Sequence, residues 1–249
     1  MSALKNKVAL VTGGSRGLGA ATARALAADG ADVAISYVAS KEKAAAVVEE
    51  LTALGVRAAA FRNDQADPVA AAELIAEVTA HFGGLDILVN NAAVGTNPGL
   101  PVDSAEADVA EWDRMHATNY LGVIAITRAA SKVLRDGGRI ITVSSGLGAR
   151  TGLPGSADYA ATKAGITAYT RGVARDLAPR GITANVVQAG LMATDMKPSA
   201  EVLEALTSTL AIKRQGLPSE QAEGIRFLAT PAASYITGAV LDTNGGYLA

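Results

Sequence analysis

The 249 residues are 49% hydrophobic and 18% charged, a balance that excludes intrinsic disorder and suffices for one α/β domain with a full core. A net charge of −2 excludes the basic footprint that nucleic acid or an anionic membrane surface would need. With no cysteine, disulfides, thiolate metal sites and cysteine nucleophiles are excluded; the histidines His81 and His116 are too few and too scattered for zinc, so no metal is expected.

The amino-terminal stretch MSALKNKVALVTGG carries only a short apolar run before its glycines, too short for a signal peptide or a spanning helix. A soluble, cytoplasmic protein is the expectation. From there, short β-branched runs alternate with alanine-rich helical stretches. The spacing predicts strands at Lys7–Thr12, Asp32–Tyr37, Val56–Phe61, Leu85–Asn90, Arg139–Ser145, Ile182–Val187 and Ala239–Thr243. Most read as continuous apolar runs, as strands buried on both faces do. Helices are predicted at Ala20–Asp29, Lys41–Leu54, Pro68–Phe82, a long segment from about Glu106 to Leu134, Tyr159–Leu177 and Ser219–Leu228. Repeated β-α-β units with right-handed crossovers imply an α/β fold of Rossmann type: a doubly wound parallel sheet of about seven strands with helices on both faces. No linker or repeat divides the chain, so residues 1–249 read as a single dinucleotide-binding catalytic domain.

Two stretches break the rhythm, Gly146–Asp158 and Gly190–Pro218. Both leave the carboxyl end of a strand, where open α/β sheets bind ligands, and they are expected to form the walls and lid of a substrate pocket. Within the second, residues 199–210 also have the apolar spacing of a small helix packed on the core.

The first strand runs into Thr12-Gly13-Gly14-Ser15-Arg16-Gly17-Leu18-Gly19 and then a helix. Glycines there let the backbone turn tightly and approach a pyrophosphate, whose charge is met by N–H groups at the helix N-terminus. An NAD site usually places Asp or Glu some 20 residues on, to bind the ribose 2′-hydroxyl. Here that place reads Ser36-Tyr37-Val38-Ala39-Ser40-Lys41, with no acid. A 2′-phosphate would escape repulsion and could be bound by Arg16, Ser36 and Lys41, so NADP(H) is the expected cofactor. Further along, Tyr159 and Lys163 stand four residues apart on one helix face, with Ser145 at the end of the strand before them. A nearby ammonium would lower the phenol's ordinary pKa of about 10 toward proton transfer near neutrality. Taken singly, the three also read as a boundary aromatic, a solvated helix charge and a strand-end cap.

TGGSRGLG at 12–19, Asp64, LDILVNNA at 85–92, Asn119 in NYLG, Ser145 in ITVSS, YAATK at 159–163, Thr194-Asp195 and ITGAVLDTNGG at 236–246 follow one another in order. On these motifs the chain resembles the short-chain dehydrogenase/reductase family over essentially its full length. The resemblance implies a catalytic tetrad of Asn119, Ser145, Tyr159 and Lys163. Ser145 would orient the carbonyl, Tyr159 give the proton, Lys163 lower the tyrosine pKa and bind the nicotinamide ribose, and Asn119 hold a water leading from Lys163 to solvent. It further implies that Asp64 meets the adenine, that Asn91 and Ala92 line the cofactor, and that Thr194 meets the carboxamide. With these, Tyr37, Gln65, Ala93, Gly190 and Met192 complete the expected cofactor contacts, and Leu147, Leu153, Leu191 and Met196 join Ser145 and Tyr159 around the substrate. Where the family commonly has NNAG and a Pro-Gly pair, this chain has Ala93 and Ala189-Gly190, and the lost proline is expected to loosen the entry to 190–218.

The expected function is NADPH-dependent reduction of a ketone to an alcohol, reversible, in a homo-oligomer of two or four chains, with no nucleic-acid or membrane partner. The nearest look is to 3-oxoacyl-carrier-protein reductases, an alternative only partly supported. Of two basic carrier-docking positions Arg180 matches one, while the other holds Asp136 with Arg135 beside it. A non-catalytic NADP-binding sensor is the alternative of another class, disfavoured because all four catalytic positions are filled.

Overall fold

Val8–Val11 (β1) is buried along its whole length, and it sits at the middle of the sheet. The computed structural model describes residues 2–95, 99–152, 154–193 and 200–249. The remaining strands are β2 (Asp32–Tyr37), β3 (Ala58–Arg62), β4 (Leu85–Asn90), β5 (Leu134–Ser145), β6 (Thr183–Ala189) and β7 (Val240–Thr243). All pairs are parallel, in the order β3-β2-β1-β4-β5-β6-β7. The edge strands β3 and β7 are only half-buried, whereas β4 and β6 are buried at every position, as the continuous apolar runs anticipate.

Helices cover both faces. On one, α1 (Gly17–Ala28), α2 (Lys41–Ala53) and α8 (Pro218–Ala229) bury Leu18, Leu26, Val47, Leu51, Ile225 and Leu228 against Val33, Ile35, Ile87 and Val89. On the other, α3 (Ala70–Phe82), α5 (Gly122–Ser131) and α6 (Ala157–Leu177) bury Leu74, Val78, Ile126 and Val173 against Leu10, Leu88 and Ile140. Alternate residues of one strand thus feed two separate cores, the reason most of the strands read as continuous apolar runs. Two further helices, α4 (Val109–His116) and α7 (Ala200–Ser208), stand near the carboxyl ends of the strands, α7 within the small-helix spacing of 199–210. Among the described residues no helix is long and apolar enough to cross a membrane.

The expected boundaries shift where pairing partners decide them. The long helical segment is broken by a π-turn, Ala117–Leu121, between α4 and α5, and Leu134 belongs to β5, paired with Leu85 across a register break. Helix α1 begins inside the glycine turn, at Gly17, and α6 begins at Ala157, so Tyr159 is its third residue. Ala189 is the last residue of β6, in register with Ser145 and Thr243, and the loop starts at Gly190. A proline there would lack the N–H that a central strand uses.

Candidate active site

Strand order reverses between β1 and β4, and there a cleft of about 470 Å³ opens at the carboxyl ends. Gly13, Ser15, Arg16, Gly17, Leu18 and Gly19 line it from the turn after β1, Ser36 and Tyr37 from β2, Asp64 and Gln65 from beyond β3, and Asn91, Ala92 and Ala93 from beyond β4. Gly13 (φ 65°) packs so closely that a Cβ would lie 2.9 Å from the Ala92 Cα; Gly17 (φ 54°) has nothing within 4 Å of its missing Cβ and leaves the cleft wall open. The turn is tied to its neighbours by Asn91 Nδ2, which donates to the Thr12 carbonyl at 2.8 Å, and by the Gly13 N–H, which donates to Ser36 Oγ at 3.2 Å. Ser36 is therefore first a brace for the loop, with its hydroxyl proton and one lone pair left for a ligand.

Arg16, the N-cap of α1, is exposed on the rim, and no described residue pairs with its guanidinium. Val38, Ala39 and Ser40 follow Tyr37 around the wall, so no carboxylate stands at the end of β2. Lys41 opens α2 and is not among the residues lining the cleft, which Ser40 is. Asp64 does line the cleft, yet both its oxygens accept from Arg114 Nη2, at 3.0 and 3.2 Å. Burial pushes its carboxyl up, but the Ala66 N–H, Arg114 and Arg62 together outweigh that and hold it below the ordinary carboxylate range.

The lining itself fits a dinucleotide. Asn63 Oδ1, Gln65 Oε1 and Thr118 Oγ1 are buried in the cleft wall without a hydrogen-bond partner, while Gln65 Nε2 donates to the Ala92 and Thr118 carbonyls at 2.9 Å. Each unmet buried group costs about 1–3 kcal/mol, so three in one cleft call for a ligand rich in donors and acceptors. Residues Asn63, Arg114 and Thr118 carry no signal in the sequence, since each reaches the cleft only through pairing or packing far along the chain.

Tyr159, Lys163, Gly190 and Met192 stand beyond the cleft, at the ends of β5 and β6. Ser145 closes β5; its Oγ accepts from the Leu147 N–H at 3.2 Å and hydrogen-bonds the Tyr159 phenol. Ser144 faces the opposite way, its hydroxyl donating to the Lys163 carbonyl at 2.9 Å, so strand alternation leaves Ser145 as the serine beside the phenol. Lys163 is 3% exposed, donates from Nζ to the Val143 carbonyl at 3.1 Å, and stands 5.6 Å from the Tyr159 ring centroid. Asn119, fully buried in the π-turn, donates to the Val94 carbonyl at 2.7 Å and accepts from the Val94 N–H at 2.8 Å, pinning the loop after β4. His116 Nε2 meets Asp158 Oδ1 at 2.9 Å, fastening α4 to the first turn of α6 just before Tyr159. Leu147 and Leu191 are half-buried near this point, whereas Leu153, Thr194 and Met196 lie outside the described residues.

Electrostatically the chain alone differs from the expected lowered phenol. Burial pushes the Tyr159 hydroxyl up, opposed only by its hydrogen bond to Ser145, and burial pulls Lys163 down to about 8. Both charged forms lose their hydration, and at this separation desolvation outweighs mutual attraction. A lysine whose folded value lies below 10.5 opposes folding: the penalty is full below about pH 8 and fades as pH rises toward 10.5. The gap corresponds to about 3 kcal/mol. Lys163→Met is therefore expected to stabilise the ligand-free protein by about 1–3 kcal/mol at neutral pH, with the gain shrinking as pH rises from about 8 and largely gone by pH 10.5. Urea unfolding at both pH values measures this; a variant less stable than wild type at neutral pH contradicts it.

Comparison with known proteins bears on this geometry. The family description that matches residues 13–248 is enoyl-(acyl carrier protein) reductase. Over 244 residues the chain is 44% identical to the 3-oxoacyl-(acyl-carrier-protein) reductase FabG of Staphylococcus aureus, covering 96% of this chain and 97% of that protein. A short-chain dehydrogenase/reductase from Serratia marcescens superposes with a TM-score of 0.94 at 42% identity, covering 99% of this chain and 100% of that one. A short-chain dehydrogenase from Burkholderia cenocepacia, solved in complex with NADP, superposes with a TM-score of 0.93 at 43% identity and the same coverage.

Proposed function

The chain belongs to the short-chain dehydrogenase/reductase family, and from that premise we propose that it is an NADPH-dependent ketoreductase, reducing a ketone to an alcohol and able to run in reverse. One observation carries the reading: Ser145, Tyr159 and Lys163 converge at the open end of β5, beside a cleft whose wall past β2 holds no acid. Gly13–Gly19, Arg16, Asp64, Gln65, Asn91 and Ala92 would hold the dinucleotide, with Arg16 on the 2′-phosphate. When bound, NADPH supplies the hydride that the carbonyl carbon receives. Ser145 donates a hydrogen bond to the carbonyl oxygen and fixes its position. Tyr159 gives its proton to the same oxygen, and the raised pKa of its buried phenol keeps that proton in place until charge develops there. The Lys163 ammonium stabilises the tyrosinate left behind, and Asn119 holds the neighbouring loop through Val94.

A small ketone is favoured over an acyl carrier protein. Arg180, the matching docking cation, is already committed: its Nε donates to Asp136 at 2.8 Å and its Nη1 to the Ser131 carbonyl at 2.6 Å, with Nη2 on the Leu134 carbonyl. The test is NADPH absorbance against small ketones, a 3-oxoacyl carrier-protein thioester and an enoyl thioester. Ketone turnover is expected, with the enoyl thioester inert. A folded protein that binds NADPH and reduces no carbonyl would leave the sensor reading standing instead.

A further inference from the structure

Beyond β7 the chain passes between the two substrate loops. Buried Asn244 shapes this passage, its Oδ1 accepting from the Gly246 and Tyr247 N–H groups at 3.1 and 3.2 Å. On one side Tyr247 grips the loop that follows Ser145. Its Oη accepts from the Gly152 N–H at 3.1 Å, its carbonyl accepts from Arg150 Nη1 at 3.4 Å, and its ring lies on Gly146, where a Cβ would come within 2.9 Å of Tyr247 Cδ1. On the other side the same segment holds the chain leaving α7. The Leu248 N–H donates to the Thr209 carbonyl at 3.0 Å, the Ala211 N–H to Gly246 at 3.1 Å and the Ile212 N–H to Gly245 at 2.9 Å, while Leu210 and Tyr247 form an antiparallel bridge.

We propose that Tyr247 is a positioning residue that couples the loop after Ser145 to the end of α7, so that the two walls of the substrate pocket select ketones by bulk as one unit. The inference rests on the ketoreductase reading. Its physical basis is that neither loop carries regular pairing of its own at these points: one is a single 3₁₀ turn over Gly146–Gly148, the other an irregular run from Thr209 to Ile212. The first is braced by the Tyr247 side chain and carbonyl, the second by the backbone of residues 245–248, so both are tied to one short segment. Only the phenol joins ring packing on Gly146 to a hydrogen bond six residues on, so the hydroxyl and the ring act on different points of one loop.

Tyr247→Phe removes the hydroxyl and keeps the ring; Tyr247→Ala removes both. In Tyr247→Phe the KM for a bulky aryl ketone is expected to rise about three- to tenfold, the worth of one hydrogen bond, while the KM for NADPH stays in place and kcat changes far less. Tyr247→Ala should raise it further and narrow the ratio of kcat/KM between small and bulky ketones. Hydrogen exchange gives the second readout: residues 146–152 and 203–212 should lose protection together in Tyr247→Phe. Faster exchange in only one loop, or in neither, overturns the coupling, and an unchanged ketone ratio in a folded Tyr247→Ala overturns the role in selection. If Tyr247→Ala does not fold, the Phe variant decides alone on both readouts. Should the wild type reduce no ketone, the ketoreductase reading has failed while the exchange experiment still tests the coupling.

Discussion

Tyr159→Phe is expected to lower kcat for ketone reduction by ~10²-fold or more while leaving NADPH affinity within about twofold, since a positioned general acid contributes at least that much and only one hydroxyl is lost. The hydroxyl meets Ser145 and is not part of the lining of the dinucleotide cleft. Phenylalanine fills the same volume at the start of α6, so the fold is retained, and fluorescence titration of NADPH separates binding from chemistry. In the wild type the reductive rate should decline as pH rises through about 8, because Lys163 loses its proton there and no longer stabilises the tyrosinate. Near-normal kcat in a folded Tyr159→Phe would move the proton donor elsewhere.

Arg16→Ala is expected to cut kcat/KM for NADPH by about ten- to a hundredfold, the range for losing a charged hydrogen-bonded contact, with kcat/KM for NADH nearly unchanged. In the wild type NADPH should be used far better than NADH. Arg16 is the cation of the glycine turn, no described residue competes for it, and the wall from Val38 to Ser40 has no carboxylate to hold a ribose diol or to repel a phosphate. Equal kcat/KM for both cofactors in the wild type would overturn the assignment of the 2′-phosphate to this rim. Lys41 should contribute little, since it is not among the residues lining the cleft.

Local order along the chain is enough to read most of what has been described. The apolar runs announce strands buried on both faces because alternate residues feed two cores, and the glycines after β1 mark a turn where backbone must come close to a ligand. Tyr159 and Lys163 share a helix face by spacing alone, and Ser145 precedes them at a strand end whose position follows from the same periodicity. Contacts made across the sequence needed the folded chain. Arg114 meets Asp64 from a helix that only the packing brings over the cleft, and Leu134 joins β5 only because Leu85 lies beside it. Asn119 sits in a π-turn that no spacing rule announces. Arg180 looks free as a docking cation until the end of α5 and the start of β5 bring Ser131, Leu134 and Asp136 around it. The phenol's raised pKa is of the same kind: a residue type sets the intrinsic value, but desolvation depends on every atom packed around the group, and that is a property of the fold.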